Sequence, residues 1–313
     1  MKIEPFKEIN PPNKDGYWFS KKNNQAYGGA YISPLLIPNL KKVENGFKKA
    51  MKNKKFLHDL EEQLLNYIGI NTPILFSSEL TDIAGGQKKV GKIFLKRTDL
   101  HHDSSHKPVN AFSSCYFAKH ILKVKRIITE TGASMNARAV AAACAKLNLD
   151  CEVHIGAVDA EKVSLNKDIT ELYGAKIVVV HDSTKTLLPA MASALRSWQS
   201  SPDSMYVVGS VAGPHPYPLM VRTFASIIGR IAKKQFKKIA GRVPDTLFAV
   251  CGGGSNLLSM AYPLLKEKTK IYAVESAGEG IETGKHGATI LGGGKMGILL
   301  GMKSKVVMHS AQI

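Results

Sequence analysis

The sequence predicts an α/β protein with mostly parallel, helix-covered sheets. Seven short apolar runs carry that expectation: KIFLK (92–96), KRIITE (125–130), CEVHIG (151–156), KIVVV (176–180), MYVVG (205–209), TLFAVCG (246–252) and KIYAVE (270–275). Most are continuously apolar rather than alternating, which suits strands buried on both faces. Helical spacers of 15 to 30 residues separate them and suit right-handed parallel crossovers. The third observation is a glycine loop, CGGGSN (251–256), directly after the strand TLFAV and opening a helix. Open α/β sheets bind their ligands at such strand ends.

At 313 residues the chain can bury a large core, and domains of ~100 to 200 residues imply two lobes. A composition of 44% hydrophobic against 22% charged residues excludes a disordered chain. No internal repeat and no Ser/Gly/Pro linker divides the sequence, so the lobes are expected to exchange segments.

The net charge is +18, with clusters at KNKK (52–55) and KKQFKK (233–238). These match no groove-reading motif and read as a solvated lysine-rich surface, whose positive field attracts anionic cofactors but is not a nucleic-acid interface. Cys115, Cys144, Cys151 and Cys251 show no C-x-x-C spacing, which argues against a zinc ribbon or a disulfide framework and for a reduced cytoplasm. The amino terminus, MKIEPFKEINPPNKDG, lacks the apolar core of a signal peptide. Residues 246–265 carry no charge, but three glycines, Asn256 and Pro263 make them a strand, a loop and a helix rather than a membrane span.

Three segments carry the chemistry. In CGGGSN the backbone N–H groups of Gly253 to Asn256 would face an anion at the start of a helix, forming a phosphate cradle. The loop lacks both the dinucleotide pattern G-x-G-x-x-G and the terminal Lys-Ser/Thr of a nucleotide loop, which favours a monophosphate. The segment ETGA (130–133) ends one strand and opens an Ala-rich helix running to about Leu147, so a carboxylate could sit there beside Glu130, a potential proton donor and acceptor. Finally, HHDSSHKPVNAF (101–112) sets Lys107 between a Ser/His-rich turn and Pro108. A lysine, a phosphate cradle and a carboxylate-holding loop are the parts that pyridoxal phosphate chemistry on an amino acid requires.

With those parts the sequence resembles the tryptophan synthase β chain family. The matching stretches are KRTDLHHDSSHKPVN, ETGA, GAVDAEKVSLN, GSVAGPHPYPLMVR, CGGGSN and GIETGKHGATI, with YGGAYISPLLIPNL near the start, collinear over nearly the whole chain. The resemblance implies the two-lobed fold type II pyridoxal 5'-phosphate architecture and β-replacement, in which L-serine loses water and indole adds. It implies that Lys107 is the Schiff-base lysine and the proton shuttle at Cα, and that His106 lies against the cofactor. Gly252, Gly253, Gly254, Ser255 and Asn256 would bind the phosphate, with Ser210 a weaker candidate nearby. Glu130 would be the acid/base, and Thr131, Gly132 and Ala133 would hold the substrate carboxylate.

Residues 1–120 would supply the amino-terminal segment and the lysine, 121–210 a mobile substrate-binding lobe, and 211–313 the phosphate-binding part of the carboxyl-terminal lobe. The family pattern further implies a tryptophan synthase α chain and a homodimer as partners. A metal at His101, His102 and His106 is not expected, because Pro108 and the serines disfavour a helix that would align the imidazoles.

The departures from the family are specific. Its Gly-Gln-His-Gly becomes Ser134, Met135, Asn136 and Ala137, and the added Cβ atoms are expected to crowd the carboxylate site. Its Thr-Gly-Ala-His-Lys becomes Asp103 to Lys107, adding a negative charge close to the lysine. Its closing arginine–aspartate pair falls on Lys162 and Ser310. The sequence stops at HSAQI, before the family's further strands and helices, which carry a serine for the pyridine nitrogen. Truncation there is expected to uncover apolar surface and a sheet edge. Two other readings therefore stay open: a catalytically impaired or silent relative that binds pyridoxal phosphate or a partner, and β-replacement on another substrate.

Overall fold

The computed structural model describes residues 10–307. Its centre is a four-stranded parallel sheet in the order Lys176–Val180, Asp150–Gly156, Arg126–Thr131, Ser204–Val207. All four strands were expected, within about two residues at each end. The alternation of side chains decides what each face meets. Thr129 points to the helix Met135–Leu147, where it accepts a hydrogen bond from the Asn136 amide at 3.0 Å. Glu152 and His154 face the opposite way, to the helix Leu187–Gln199.

That second face buries a polar network. The His154 ring meets the Ser193 hydroxyl at 3.0 Å and Glu152 at 2.9 Å, while Ser197 donates to Glu152 at 2.5 Å and Arg126 pairs with the other carboxylate oxygen. Burial lowers the His154 pKa against the pull of Glu152, whereas the Glu152 carboxyl, raised by burial, ends below its usual value because Ser197, His154 and Arg126 all favour its charge. A fully partnered network of this kind fixes the helix on the sheet.

The lysine-bearing helix, Lys107–Phe117, is buried from Pro108 onward and packs against Met135–Leu147, with the Cys115 and Cys144 sulfurs 3.9 Å apart. Phe117 and Phe224 both meet Phe47 edge-on, at 6.4 and 5.7 Å between centroids. Each such ring contributes roughly 1.5–3 kcal/mol by leaving water, so the helix that presents Lys107 is anchored by the main core.

Thr246–Val250 and Lys270–Val274 form a separate parallel pair. Here the continuous apolar run does not mean burial on both faces. Phe248 and Tyr272 stack at 5.0 Å and are 69% and 49% exposed, with Val250 and Val274 beside them also exposed. The expectation of strands covered on both faces is thus not met by this pair, whose apolar face is open among the described residues.

Of the antiparallel strands, only Phe94–Lys96 was expected, as the run KIFLK, and its antiparallel pairing was not. Ile74–Phe76 pairs with Phe94–Lys96, and Tyr17–Phe19 and Ala26–Gly28 join Met302–Val306 and Lys295–Leu299 in one sheet. Tyr17–Phe19, Ala26–Gly28 and Ile74–Phe76, of three residues each, are too short to display a period, and the five-residue KMGIL and MKSKV carry glycine or lysines in place of a continuous apolar run. Lys303 pairs with Gly28, so the two ends of the described chain meet. The closing HSAQI and Ser310 lie outside the described residues, and Lys162, its expected counterpart, is exposed. Among the described residues no helix is long and apolar enough to cross a membrane.

Candidate active site

Lys107 is the first residue of its helix and Pro108 the second, where the absent N–H of proline leaves no helical bond unmade. Burial lowers the lysine pKa and the charge of Glu130 works in the other direction. A less basic amine is a better nucleophile near neutral pH. The Asn110 amide, one turn on, donates to the Val208 carbonyl at 2.9 Å and so ties this helix to the strand end that leads to Ser210.

Glu130 lies at the end of its strand, 7% exposed, and burial pushes its pKa up to about 7. Tyr206, on the neighbouring strand, is close enough to favour the carboxylate form, yet neither Glu130 Oε2 nor the Tyr206 hydroxyl makes a well-aligned hydrogen bond. The backbone beneath Glu130 is fixed, because Asn136 donates to the Glu130 carbonyl at 3.2 Å. The carboxyl is therefore placed by its neighbours and left free to exchange a proton.

CGGGSN leaves the strand Thr246–Val250 and enters the helix Ser255–Ala261 through Gly254, whose φ of +91° is one that glycine adopts without strain. The Asn256 amide reaches back to the Val250 carbonyl at 3.1 Å and closes the turn. His106 Nε2 meets the Ser255 hydroxyl at 2.9 Å, which joins the lysine turn to the glycine loop. A Cβ on Gly253 would fall 2.3 Å from the Ser210 hydroxyl, so Ser210 stands against the glycine loop, while a Cβ on Gly252 would meet nothing within 4 Å. Burial and the nearby Lys107 hold the His106 pKa at about 4, making it a neutral ring at pH 7.

Thr131, Gly132 and Ala133 follow Glu130 between the central sheet and the helix Met135–Leu147. Thr131 is buried, and a Cβ on Gly132 would stand 3.6 Å from both the Asp159 carboxylate and Leu187. The two departures from the family are adjacent to this loop and to the lysine. Ser134 keeps a left-handed φ of +61° and Ser104 one of +55°, at positions where the family has glycine. Ala137 is taken up by the helix and is 2% exposed.

The three histidines do not converge: His101 Nδ1 meets the Ser105 carbonyl at 3.0 Å, His102 packs on Tyr67 at 4.7 Å, and His106 turns to Ser255. An apolar cleft of about 360 Å³ lies elsewhere, between Tyr31, Leu36, Met191 and Leu300, and includes none of the residues above.

Sequence reasoning missed Tyr206, Asn136 and Arg138. Tyr206 was legible as a polar-tipped residue on an interior strand, but its pairing opposite Ile128, one step from Glu130 on the same face, is a matter of strand order. Arg138 forms an ion pair with Asp103 that no local spacing discloses. Buried side-chain atoms of His101, Asp103, Glu130, Ser134 and Tyr206 are without a well-aligned hydrogen bond. Such a concentration marks a site made for a ligand.

The residues fit pyridoxal phosphate: a buried lysine of lowered pKa, a glycine loop with open space before Gly252, and buried polar atoms without hydrogen bonds at Asp103, Glu130 and Ser134. The fold and the site define a pyridoxal-phosphate dependent enzyme. The profile of the family described as pyridoxal-phosphate dependent enzyme matches residues 65–308. Two solved structures share the fold: a pyridoxal 5'-phosphate-dependent aspartate racemase (TM-score 0.55, 16% identity, 72% of this chain and 63% of that one) and a threonine deaminase from T.th. (TM-score 0.54, 20% identity, 75% and 70%).

More specific are the tryptophan synthase beta chains of Acinetobacter calcoaceticus, 42% identical over 280 residues, and of Methylobacterium nodulans, 39% identical over 285. The matches span 89% and 90% of this chain and 68% and 69% of those proteins. The chain belongs to the tryptophan synthase beta chain family and is a lyase with pyridoxal phosphate as cofactor.

Proposed function

We propose that the protein catalyses β-replacement on L-serine, exchanging its hydroxyl for indole to give L-tryptophan. The observation that carries this reading is the buried Glu130, with a pKa of about 7, set between the Lys107 amine and the Thr131–Ala133 loop. Bound pyridoxal phosphate supplies the electron sink that permits loss of the Cα proton and of the Cβ hydroxyl.

Lys107 holds the cofactor and then moves the proton at the serine Cα. Thr131, Gly132 and Ala133 hold the carboxylate at the entry to the helix Met135–Leu147. Glu130 gives its proton to the departing hydroxyl oxygen, and as a carboxylate it takes up the proton released when indole adds. A group titrating near 7 serves both directions. Gly252 to Asn256, with Ser210 beside Gly253, hold the phosphate, and neutral His106 lies against the ring without adding charge.

The partners that accompany this reading are a tryptophan synthase α chain, which would deliver indole, and a second copy of the chain. The four cysteines, all unpaired, agree with a reduced cytoplasm.

A second reading, β-replacement with another nucleophile, has its own support: Ser134 Oγ and Asp103 Oδ2 are buried without hydrogen bonds and offer polar contacts where the family has glycine and threonine. Incubating the chain and cofactor with L-serine and a panel of nucleophiles, with products read by mass spectrometry, separates the two. Tryptophan as the main product supports the first. Serine turnover with indole refused and another nucleophile accepted transfers the assignment to the second. Absence of any product, with cofactor bound, would point to a silent relative.

A further inference from the structure

We infer that Arg138 is a positioning residue: paired with Asp103 and bonded to Asn166, it sets the turn that carries Lys107 against the loop that carries Thr131 to Ala133. The inference rests on the reading above, in which those two segments hold one substrate between them.

The pair joins the two stretches in which this chain leaves its family's pattern. Asp103 lies four residues before Lys107, and Arg138 lies one turn beyond Ser134, whose carbonyl accepts its backbone N–H at 3.0 Å. Arg138 Nε bonds Asp103 Oδ1, and its Nη2 is 3.5 Å from the Asp103 carbonyl. The Asp103 side chain is 2% exposed and that of Arg138 18%. Arg138 Nη1 also donates to Asn166 Oδ1 at 3.0 Å, which brings in the helix Ser164–Leu172. One guanidinium, carried by the helix after the carboxylate loop, therefore touches both the lysine turn and the helix Ser164–Leu172.

What this tie opposes is visible in the backbone. Asp103, Ser104 and Ser134 have φ values of +66°, +55° and +61°, a region that disfavours residues with a Cβ. Glycine would occupy these conformations freely; aspartate and serine need the surroundings to hold them there. The planar fork of arginine, with several donors fixed in direction, suits a carboxylate and an amide at once. Removing either charge leaves the other buried and unpaired, so the two residues act as a unit.

The test is a double-mutant cycle on the full chain with cofactor, using Asp103→Asn, Arg138→Met and the double variant, with Arg138→Lys as the conservative change. Amide hydrogen exchange is followed in 101–106, in 131–138 and in the core helix 107–117, and KM and kcat for L-serine are measured alongside. Each single change should speed exchange in both loops by about tenfold, the double change should add little, and Arg138→Lys should recover part of the effect. Exchange in 107–117 should stay put, and KM for serine should rise more than kcat falls.

Singles that add in the double variant, or uniform acceleration that includes the core helix, would reduce the pair to a general stabiliser and overturn the inference. Unchanged exchange in the loops would do the same. The exchange arm needs no turnover, so a chain that proved inactive on serine would count against the proposed reaction and not against this tie.

Discussion

The His106 imidazole and the Ser255 hydroxyl stand 2.9 Å apart, although 149 positions separate them in the chain. The contact fastens the turn before Lys107 to the glycine loop that ends the strand Thr246–Val250, the two segments that the proposed function uses for the cofactor's aldehyde and its phosphate. Burial keeps this imidazole neutral down to about pH 4. The bond is thus one between neutral groups throughout the range in which the enzyme would work.

Lys107 should be the residue that carries the cofactor. Borohydride reduction of the loaded protein followed by peptide mapping should place the pyridoxyl group there, and Lys107→Ala should abolish the label. Modification of another lysine, such as Lys96, whose half-buried amine has a pKa of about 8, would refute the assignment.

Gly253→Ala should weaken cofactor binding by roughly tenfold or more, the worth of a hydrogen bond to a charged group, because its Cβ would press on Ser210 at 2.3 Å. Adding Ser210→Gly removes the obstacle and should restore part of the affinity. Fluorescence titration with pyridoxal phosphate decides the matter, and equal affinities in all three proteins would sink the cradle.

Glu130 predicts a pH dependence of stability in the cofactor-free protein. Its folded pKa of about 7 lies above the ordinary 4.5, so the folded state binds the proton more tightly. Its contribution is whole below about pH 4.5 and is lost as pH rises to about 7, where the upper bound is of order 3 kcal/mol at ~1.4 kcal/mol per unit. Urea midpoints for the wild type should fall across that window, and Glu130→Gln should flatten that part of the curve. A Gln variant with the wild-type slope would show that another group is responsible.

Restoring glycine in the rebuilt loop should have opposite effects at its two positions. Ser134→Gly relieves a left-handed φ and should stabilise the protein by about 0.5–1 kcal/mol, whereas Ala137→Gly, inside a buried helix, should cost about 1 kcal/mol. If the Cβ of Ser134 hinders the carboxylate, the first change also lowers KM for serine. Denaturation and steady-state assays on the two single variants, followed by the complete Gly-Gln-His-Gly loop, separate fold from function. Robust tryptophan synthesis by the unaltered chain, unimproved by either change, would show that the departures do not disable the site.

The sequence by itself determined the interior strands and the positions of the reactive residues along the chain. Continuous apolar runs such as MYVV report burial on both faces, and glycines or a lysine at a strand end or helix start have local physical reasons to be there. It could not determine which strand lies beside which, and so the pairing that brings Tyr206 next to Glu130 was invisible. Nor could it show that Asp103 and Arg138 neutralise one another or that Ser210 abuts Gly253, because an ion pair or a steric contact between distant segments leaves no period in either one. The open face at Phe248 and Tyr272 makes the same point from the other side: an apolar run reveals that a strand prefers to be covered, and only the tertiary arrangement decides whether anything covers it.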